Sequence, residues 1–193
     1  MKKKRVIGIA GFIGSGKTTA GKYLRRLGAD YIEADKVVES LYMPGGAGWS
    51  KIVSFLGERF LKKDKTIDRK KLAKFVFENP NKTKIINGLI HPLVANEIRK
   101  IIDKSRADTV VIEAVYFEKK SLLGIVDDIV WIECKKNAAK KRVLKIAKFD
   151  GAMFERIYRS QRKPSRIDFV VSNDGSKTDL YKQLKMLYYP HEQ

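Results

Sequence analysis

Short apolar runs and stripes of helical period alternate along this 193-residue chain. Val6 to Ala10 is a continuous apolar run rich in β-branched residues, the pattern of a buried strand. Ala20, Tyr23, Leu24 and Leu27 then recur at i, i+3, i+4 and i+7, one face of a helix, and Gly28 follows where a helix end favours a left-handed residue. Tyr31 and Ile32, ending at Glu33-Ala34-Asp35, read as a second short strand. "TVVIEA" (Thr109 to Ala114) and "DIVWIEC" (Asp128 to Cys134) are near-continuous apolar runs, as strands covered on both faces should be. "DFVVSN" (Asp168 to Asn173) is a shorter run of the same kind.

The stretch between the second and third of these strands, residues 36–106, carries helix signals and no strand pattern. Asp68 is placed to cap a helix in which Leu72, Phe75 and Val76 share a face. Pro92 fits a first helical position, followed by an apolar stripe through Val94, Ile98, Ile101 and Ile102. Near the end of the chain, Ser176-Lys177-Thr178-Asp179 reads as a capping box, with Leu180, Leu184, Leu187 and Tyr188 as the buried stripe of a last helix. Strands separated by helices predict a three-layer α/β fold around a parallel sheet in a single domain, 1–193. The helical stretch is then an insertion at the carboxyl edge of the sheet, where open α/β folds bind ligands.

Chemistry enters between the first strand and the first helix. In "GIAGFIGSGKTTAGKYL", Gly11, Gly16, Lys17 and Thr18 fit the spacing G-x-x-x-x-G-K-[ST] in its required strand–loop–helix context. Glycines let successive amide N–H groups curl around an anion, and the helix behind them adds its positive end. Lys17 supplies a charge for the β- and γ-phosphates, and the Thr18 hydroxyl is a magnesium ligand. Ile13, Gly14, Ser15, Gly16, Lys17, Thr18 and Thr19 are therefore the expected ATP-binding residues, with Asn173 at the end of the last strand. The fold this predicts is that of the P-loop NTPases.

Charge sharpens the picture. The chain carries 41 Lys and Arg against 22 Asp and Glu, a net charge of +19. Between Lys135 and Arg166 twelve basic residues face only Asp150 and Glu155, so this segment holds +10 of that total. Such a concentration reads as an arm, 135–166, that closes over phosphates, or as a solvated lysine-rich face. A nucleic-acid-binding ATPase is the rival reading of the charge, but no nucleic-acid module is recognisable. The single cysteine, Cys134, excludes an internal disulfide framework and a cysteine-based zinc site, and its place at a strand end reads as a buried structural thiol. No apolar run reaches the length of a membrane span. Together these predict a soluble, cytoplasmic protein acting on a small molecule, with no membrane and no specific nucleic acid as partner.

The loop does not separate kinases from other nucleotide users, although the absence of an [NT]-K-x-D signature speaks against a GTPase. A nucleoside monophosphate kinase remains an alternative at that point. The rest of the chain, from about Arg5 to Leu187, resembles the dephospho-coenzyme A kinase family. The resemblance stands on "EADKVVESLYMPGGAGW", "FLGERFLKKDKTIDRKKLAKFVF", "LIHPLV", "EAVYFE" and "VVSNDGS", above all on "IDRKKLAKFVF" paired with "HPLV". It implies transfer of the γ-phosphoryl of ATP, with magnesium, to the ribose 3′-hydroxyl of dephospho-coenzyme A. It further implies Asp35 as the general base, residues 36–106 as the acceptor-binding insertion, and 135–166 as a lid whose first arginine is Arg142. Arg69, His91, Tyr116 and Glu118 are the candidates on the acceptor side. Phe55, Phe60, Tyr116 and Phe117 are candidates for packing against the acceptor or for the core. Two departures stand out. Glu39 occupies the family's histidine position, and the second lid arginine falls at Ile146, so that the neighbouring lysines, Arg156 or Arg159 would have to share its work.

Overall fold

A computed structural model describes residues 3–77, 80–117, 122–146 and 150–189. The chain divides into two compact units, one made of residues 1–33 and 105–193 and the other of Ala34–Lys104.

The first unit is built on a five-stranded parallel sheet. Its strands are β1 (Arg5–Ala10), β2 (Asp30–Glu33), β3 (Thr109–Glu113), β4 (Asp128–Glu133) and β5 (Phe169–Ser172), in the spatial order β2-β3-β1-β4-β5. The expected parallel α/β architecture is therefore present, and the strands match the apolar runs of the sequence to within a residue or two. Because β1 lies between β3 and β4, the chain leaves its carboxyl end at the point where the strand order reverses, the usual place for a ligand crevice in an open α/β sheet.

One face of this sheet is closed by α1 (Lys17–Arg26) and α8 (Lys177–Tyr188). Ile7, Ile9, Val111, Val130, Ile132 and Val171 of the strands pack with Ala20 and Leu24 of α1 and Leu180 and Leu184 of α8. Both helices end as the sequence predicts. Gly28, at φ +108°, closes α1. The Gly28 amide donates to Arg25 and the Ala29 amide to Leu24, which satisfies two carbonyls of the last turn. At the start of α8, Ser176 and Asp179 form the reciprocal capping box. The amino end of the central strands is tied by Arg5, which pairs with Asp128 at 2.8 Å and donates to the carbonyl of Leu187.

The basic segment of this unit contains α6 (Lys136–Ile146) and α7 (Gly151–Ser160). Asp150 caps α7 by accepting from the Met153 amide. The two helices meet through Ala139, Val143 and Phe154, with Ile13, Cys134 and Tyr158 packed around them. Glu155 clasps them from outside, paired with Lys136 at 2.6 Å and Lys140 at 3.2 Å. Lys136 and Lys140 thus share one carboxylate between α6 and α7 while their side chains stay partly exposed, as a solvated face allows.

The second unit holds α2 (Ala34–Leu41), α3 (Ala47–Leu56), α4 (Arg69–Phe77) and α5 (Pro80–Lys104). Its only strand-like feature among the described residues is a single bridge between Leu61 and Ile67. Two expectations change here. The second strand stops at Glu33, so Ala34 and Asp35 already belong to α2. Pro92 lies inside α5 and not at its start. Ile86, Ile90, Val94, Ile98 and Ile102 form one buried row that runs through the proline, and their burial outweighs the one backbone hydrogen bond the proline forfeits.

Candidate functional site

The loop from Gly11 to Lys17 can take its shape only with glycine at two places. Gly14 and Gly16 have φ of +75° and +104°, conformations that side-chain-bearing residues rarely adopt. Space closes the same positions. A Cβ on Gly16 would lie 2.2 Å from Asn173 Nδ2, and one on Gly14 would lie 2.5 Å from the carbonyl of Ala139 on α6. The loop is therefore pressed between the end of β5 and the first turn of α6.

Asn173 is the clamp at this point. Its side-chain amide donates to the Ser15 carbonyl at 2.6 Å, and its backbone amide donates to Glu133 at the end of β4. Its own carbonyl accepts from Arg142 Nη2 at 2.7 Å. A second guanidinium nitrogen of Arg142 donates to Cys134 Sγ. Cys134 is half-buried and not fully so. Burial raises its thiol pKa and Asp174 adds to the effect, against the guanidinium. On the other side, the Ile13 amide donates to Gln161 Oε1 at 2.7 Å, just beyond α7.

Lys17 folds over the loop, its ammonium donating to the carbonyls of Gly11 and Phe12. The Thr18 hydroxyl donates to Glu113 Oε1 at 2.9 Å. Glu113 is the last residue of β3, and its Oε2 accepts a hydrogen bond from the Tyr31 hydroxyl of β2. Burial, then the hydrogen bond and charge of Glu113, push the Tyr31 phenol pKa upward against a smaller opposing effect of the Thr18 hydroxyl, which keeps it protonated and donating.

The loop opens onto a cavity of about 520 Å³, lined by Ile13, Gly14 and Gly16 to Thr19 together with Glu113, Arg142 and Asn173. Lys177 of α8 adds a further cation, and Val143, Ile146 and Leu180 add an apolar wall. A glycine loop with cations and aliphatic surface around one cavity suits a nucleotide, whose phosphates and base ask for those surroundings. Thr18 and Glu113 offer hard oxygens side by side. Among the described residues no group of three or more carboxylate, histidine or cysteine side chains is poised for a metal. A two-oxygen site fits magnesium, which keeps its waters and takes its remaining ligands from phosphate.

The sequence-predicted residues divide between the two units. Ile13 to Thr19, Arg142 and Asn173 share the cavity, while Ser15 is almost fully buried beneath the loop. Asp35 is exposed in the first turn of α2, two residues after Glu33, which sits in register with Glu113. Arg69, the first residue of α4, pairs at 2.7 Å with Glu39. Its neighbour Asp68 caps α4 through the Lys71 amide, and Ile67 is buried, so each letter of "IDR" has its own structural work. His91 is half-buried on α5. Tyr116 is exposed, with its hydroxyl donating to the Ser160 carbonyl. Glu118 lies outside the described residues. Phe60 and Phe117 are core residues, and Phe55 is half exposed. Sequence reasoning missed Glu113, Tyr31, Gln161 and Lys177. Glu113 left a signal, a carboxylate ending an apolar strand parallel to β1. Gln161 left none.

Comparison with known proteins agrees with this geometry. A family model for dephospho-CoA kinase matches residues 5–179. The dephospho-CoA kinase of Aquifex aeolicus is 32% identical over 187 residues, 94% of this chain and 95% of that protein. The crystal structure of a Thermus thermophilus protein superposes with a TM-score of 0.83 over the whole of both chains, at 23% identity. A dephospho-CoA kinase from Campylobacter jejuni superposes with a TM-score of 0.65 at 25% identity, covering 97% of each chain. With a parallel α/β fold built around a phosphate loop and a family match that spans nearly its whole length, this chain belongs to the dephospho-CoA kinase family.

Proposed function

We propose that the protein transfers the γ-phosphoryl group of ATP to the ribose 3′-hydroxyl of dephospho-coenzyme A, giving coenzyme A and ADP. The observation that carries this reading is the set of groups around one cavity: the glycine loop under Lys17, the Thr18–Glu113 oxygen pair beside it, and Arg142 in the wall. Family membership sets aside the nucleoside monophosphate kinase and nucleic-acid ATPase readings.

In this reading the loop amides and Lys17 hold the β- and γ-phosphates. Lys17 exchanges the loop carbonyls for phosphate oxygens, so its charge is present before the ligand arrives. Thr18 and Glu113 would hold magnesium, which when bound neutralises charge between the phosphates. Arg142 is fixed by Cys134 and Asn173 and offers a planar guanidinium with five donors. Its place is beside the transferring group, where charge spreads over three equatorial oxygens. Asp35 is the general base that accepts the proton of the attacking hydroxyl. Arg69, His91, Tyr116 and Glu118 serve the acceptor, residues 36–106 form its binding subdomain, and 135–166 act as the lid. No described helix is long and apolar enough to cross a membrane, and we place the reaction in the cytoplasm with small molecules as its partners.

The test is a coupled assay with purified protein, ATP and magnesium. Dephospho-coenzyme A should be converted to coenzyme A far faster than AMP, CMP or adenosine is phosphorylated. Preference for any of those three would overturn the reading.

A further inference from the structure

The Glu113 carboxylate has a different owner for each oxygen: Oε1 takes the Thr18 hydroxyl and Oε2 takes the Tyr31 hydroxyl. Tyr31 has a prepared seat. A Cβ on Gly21 of α1 would lie 2.1 Å from its ring, so the glycine is what allows the phenol to lie between α1 and the sheet. The ring is packed against the core cluster shared by α1, α8 and the strands. A phenol on β2 thus reaches across to the end of β3 and holds the Glu113 carboxylate beside Thr18 at the start of α1.

We infer that Tyr31 is a positioning residue for the magnesium pair, acting through Glu113 to keep Oε1 turned toward Thr18. The inference rests on the reading of Thr18 and Glu113 as magnesium holders. Its physical basis is general. A carboxylate that must adopt one rotamer to serve a metal loses side-chain freedom on binding. A partner that already holds that rotamer removes the loss. Outer partners of this kind change metal affinity or activity by roughly 10- to 100-fold when removed. Tyr31 touches neither nucleotide nor acceptor in this scheme, so its effect is confined to the metal.

Tyr31→Phe is the informative change, because it keeps the ring in the seat made by Gly21 and deletes only the donor. Manganese serves as the probe, with free Mn²⁺ counted by electron paramagnetic resonance in the presence of saturating ADP. The variant should bind Mn²⁺ roughly tenfold more weakly, with the melting temperature of the metal-free protein and the KM for dephospho-coenzyme A unchanged. In a Glu113→Gln background the same substitution should change Mn²⁺ affinity by less than about twofold, since the route through Glu113 is already cut. Mn²⁺ binding within about twofold of wild type, or an equal loss in both backgrounds, would overturn the inference. The metal titration uses no acceptor, and turnover of dephospho-coenzyme A by the wild type is scored separately. Failure of the acceptor assignment is therefore distinguishable from failure of the Tyr31 role.

Discussion

The side-chain amide of Asn173 hydrogen-bonds the carbonyl of Ser15 at 2.6 Å, although 158 positions separate them along the chain. The bond is buried, and Nδ2 also stands where a Cβ on Gly16 would have to go. Asn173→Ala leaves a buried carbonyl unsatisfied, which costs roughly 1–3 kcal/mol. At about 2–4 °C per kcal/mol for a chain of this size, calorimetry should register a fall of several degrees. Affinity for ATP should fall as well, because the loop loses its brace. Asn173→Asp should be worse than Asn173→Ala, since it turns an oxygen toward the carbonyl. Equal melting temperatures for wild type and both variants would refute the clamp.

Two substitutions separate nucleotide binding from proton transfer. Lys17→Ala removes the charge over the loop and should weaken ATP binding and turnover together. Asp35→Asn keeps size and polarity but accepts no proton. Turnover should drop by ~10²–10⁴ with both substrates still bound normally. Retention of a third of wild-type turnover in Asp35→Asn would rule out the base assignment.

Arg142→Ala should lower kcat much more than it raises the Kd for ATP, because a guanidinium aimed at the transferring group acts chiefly in the transition state. The same substitution releases Cys134 Sγ and the Asn173 carbonyl. Arg142→Lys supplies the charge without the planar fork and should recover only part of the loss. Single-turnover kinetics with equilibrium ATP binding reads both quantities. Parallel losses in kcat and affinity would assign Arg142 to ground-state binding.

The α6–α7 clasp has a pH signature. Hydrogen bonds from Lys136 and Lys140 hold the Glu155 pKa below its ordinary value of 4.5. A carboxylate whose pKa is lower in the folded state contributes stability that is full above the unfolded value and is lost as pH falls through the folded one. Wild type should therefore exceed Glu155→Gln in thermal stability at neutral pH. The gap should begin to close near pH 4.5 and vanish below it. A gap that persists unchanged into that acid range would show that Glu155 acts by packing alone.

The Ile13 amide is held by Gln161. Gln161→Ala should speed hydrogen exchange at that amide in the ligand-free protein. Phosphate contacts would take the place of the glutamine when ADP binds, so exchange in the ADP complex should match wild type. Slower exchange in the ligand-free variant would contradict the contact.

Much of this is legible in the sequence. The glycine loop announced itself because its backbone demands particular residues at fixed spacing, and Gly16 cannot be replaced without meeting Asn173. The strands were legible because a parallel sheet covered on both faces needs unbroken apolar runs, as in "DIVWIEC". Pro92 misled because its local preference for a helix start is weaker than the long buried row from Ile86 to Ile102. Gln161 and Tyr31 were invisible for another reason. Each acts on a residue far away in sequence, and no local pattern encodes a partner brought near only by the fold.

Gly14 carries one more consequence. A Cβ there would meet the Ala139 carbonyl at 2.5 Å and the Val143 side chain at 2.7 Å. With no room between them, the early part of α6 lies directly on the phosphate loop, and Arg142 is carried by the same helix. A side chain at position 14 would therefore displace α6 as well as strain the loop, and would carry Arg142 with it.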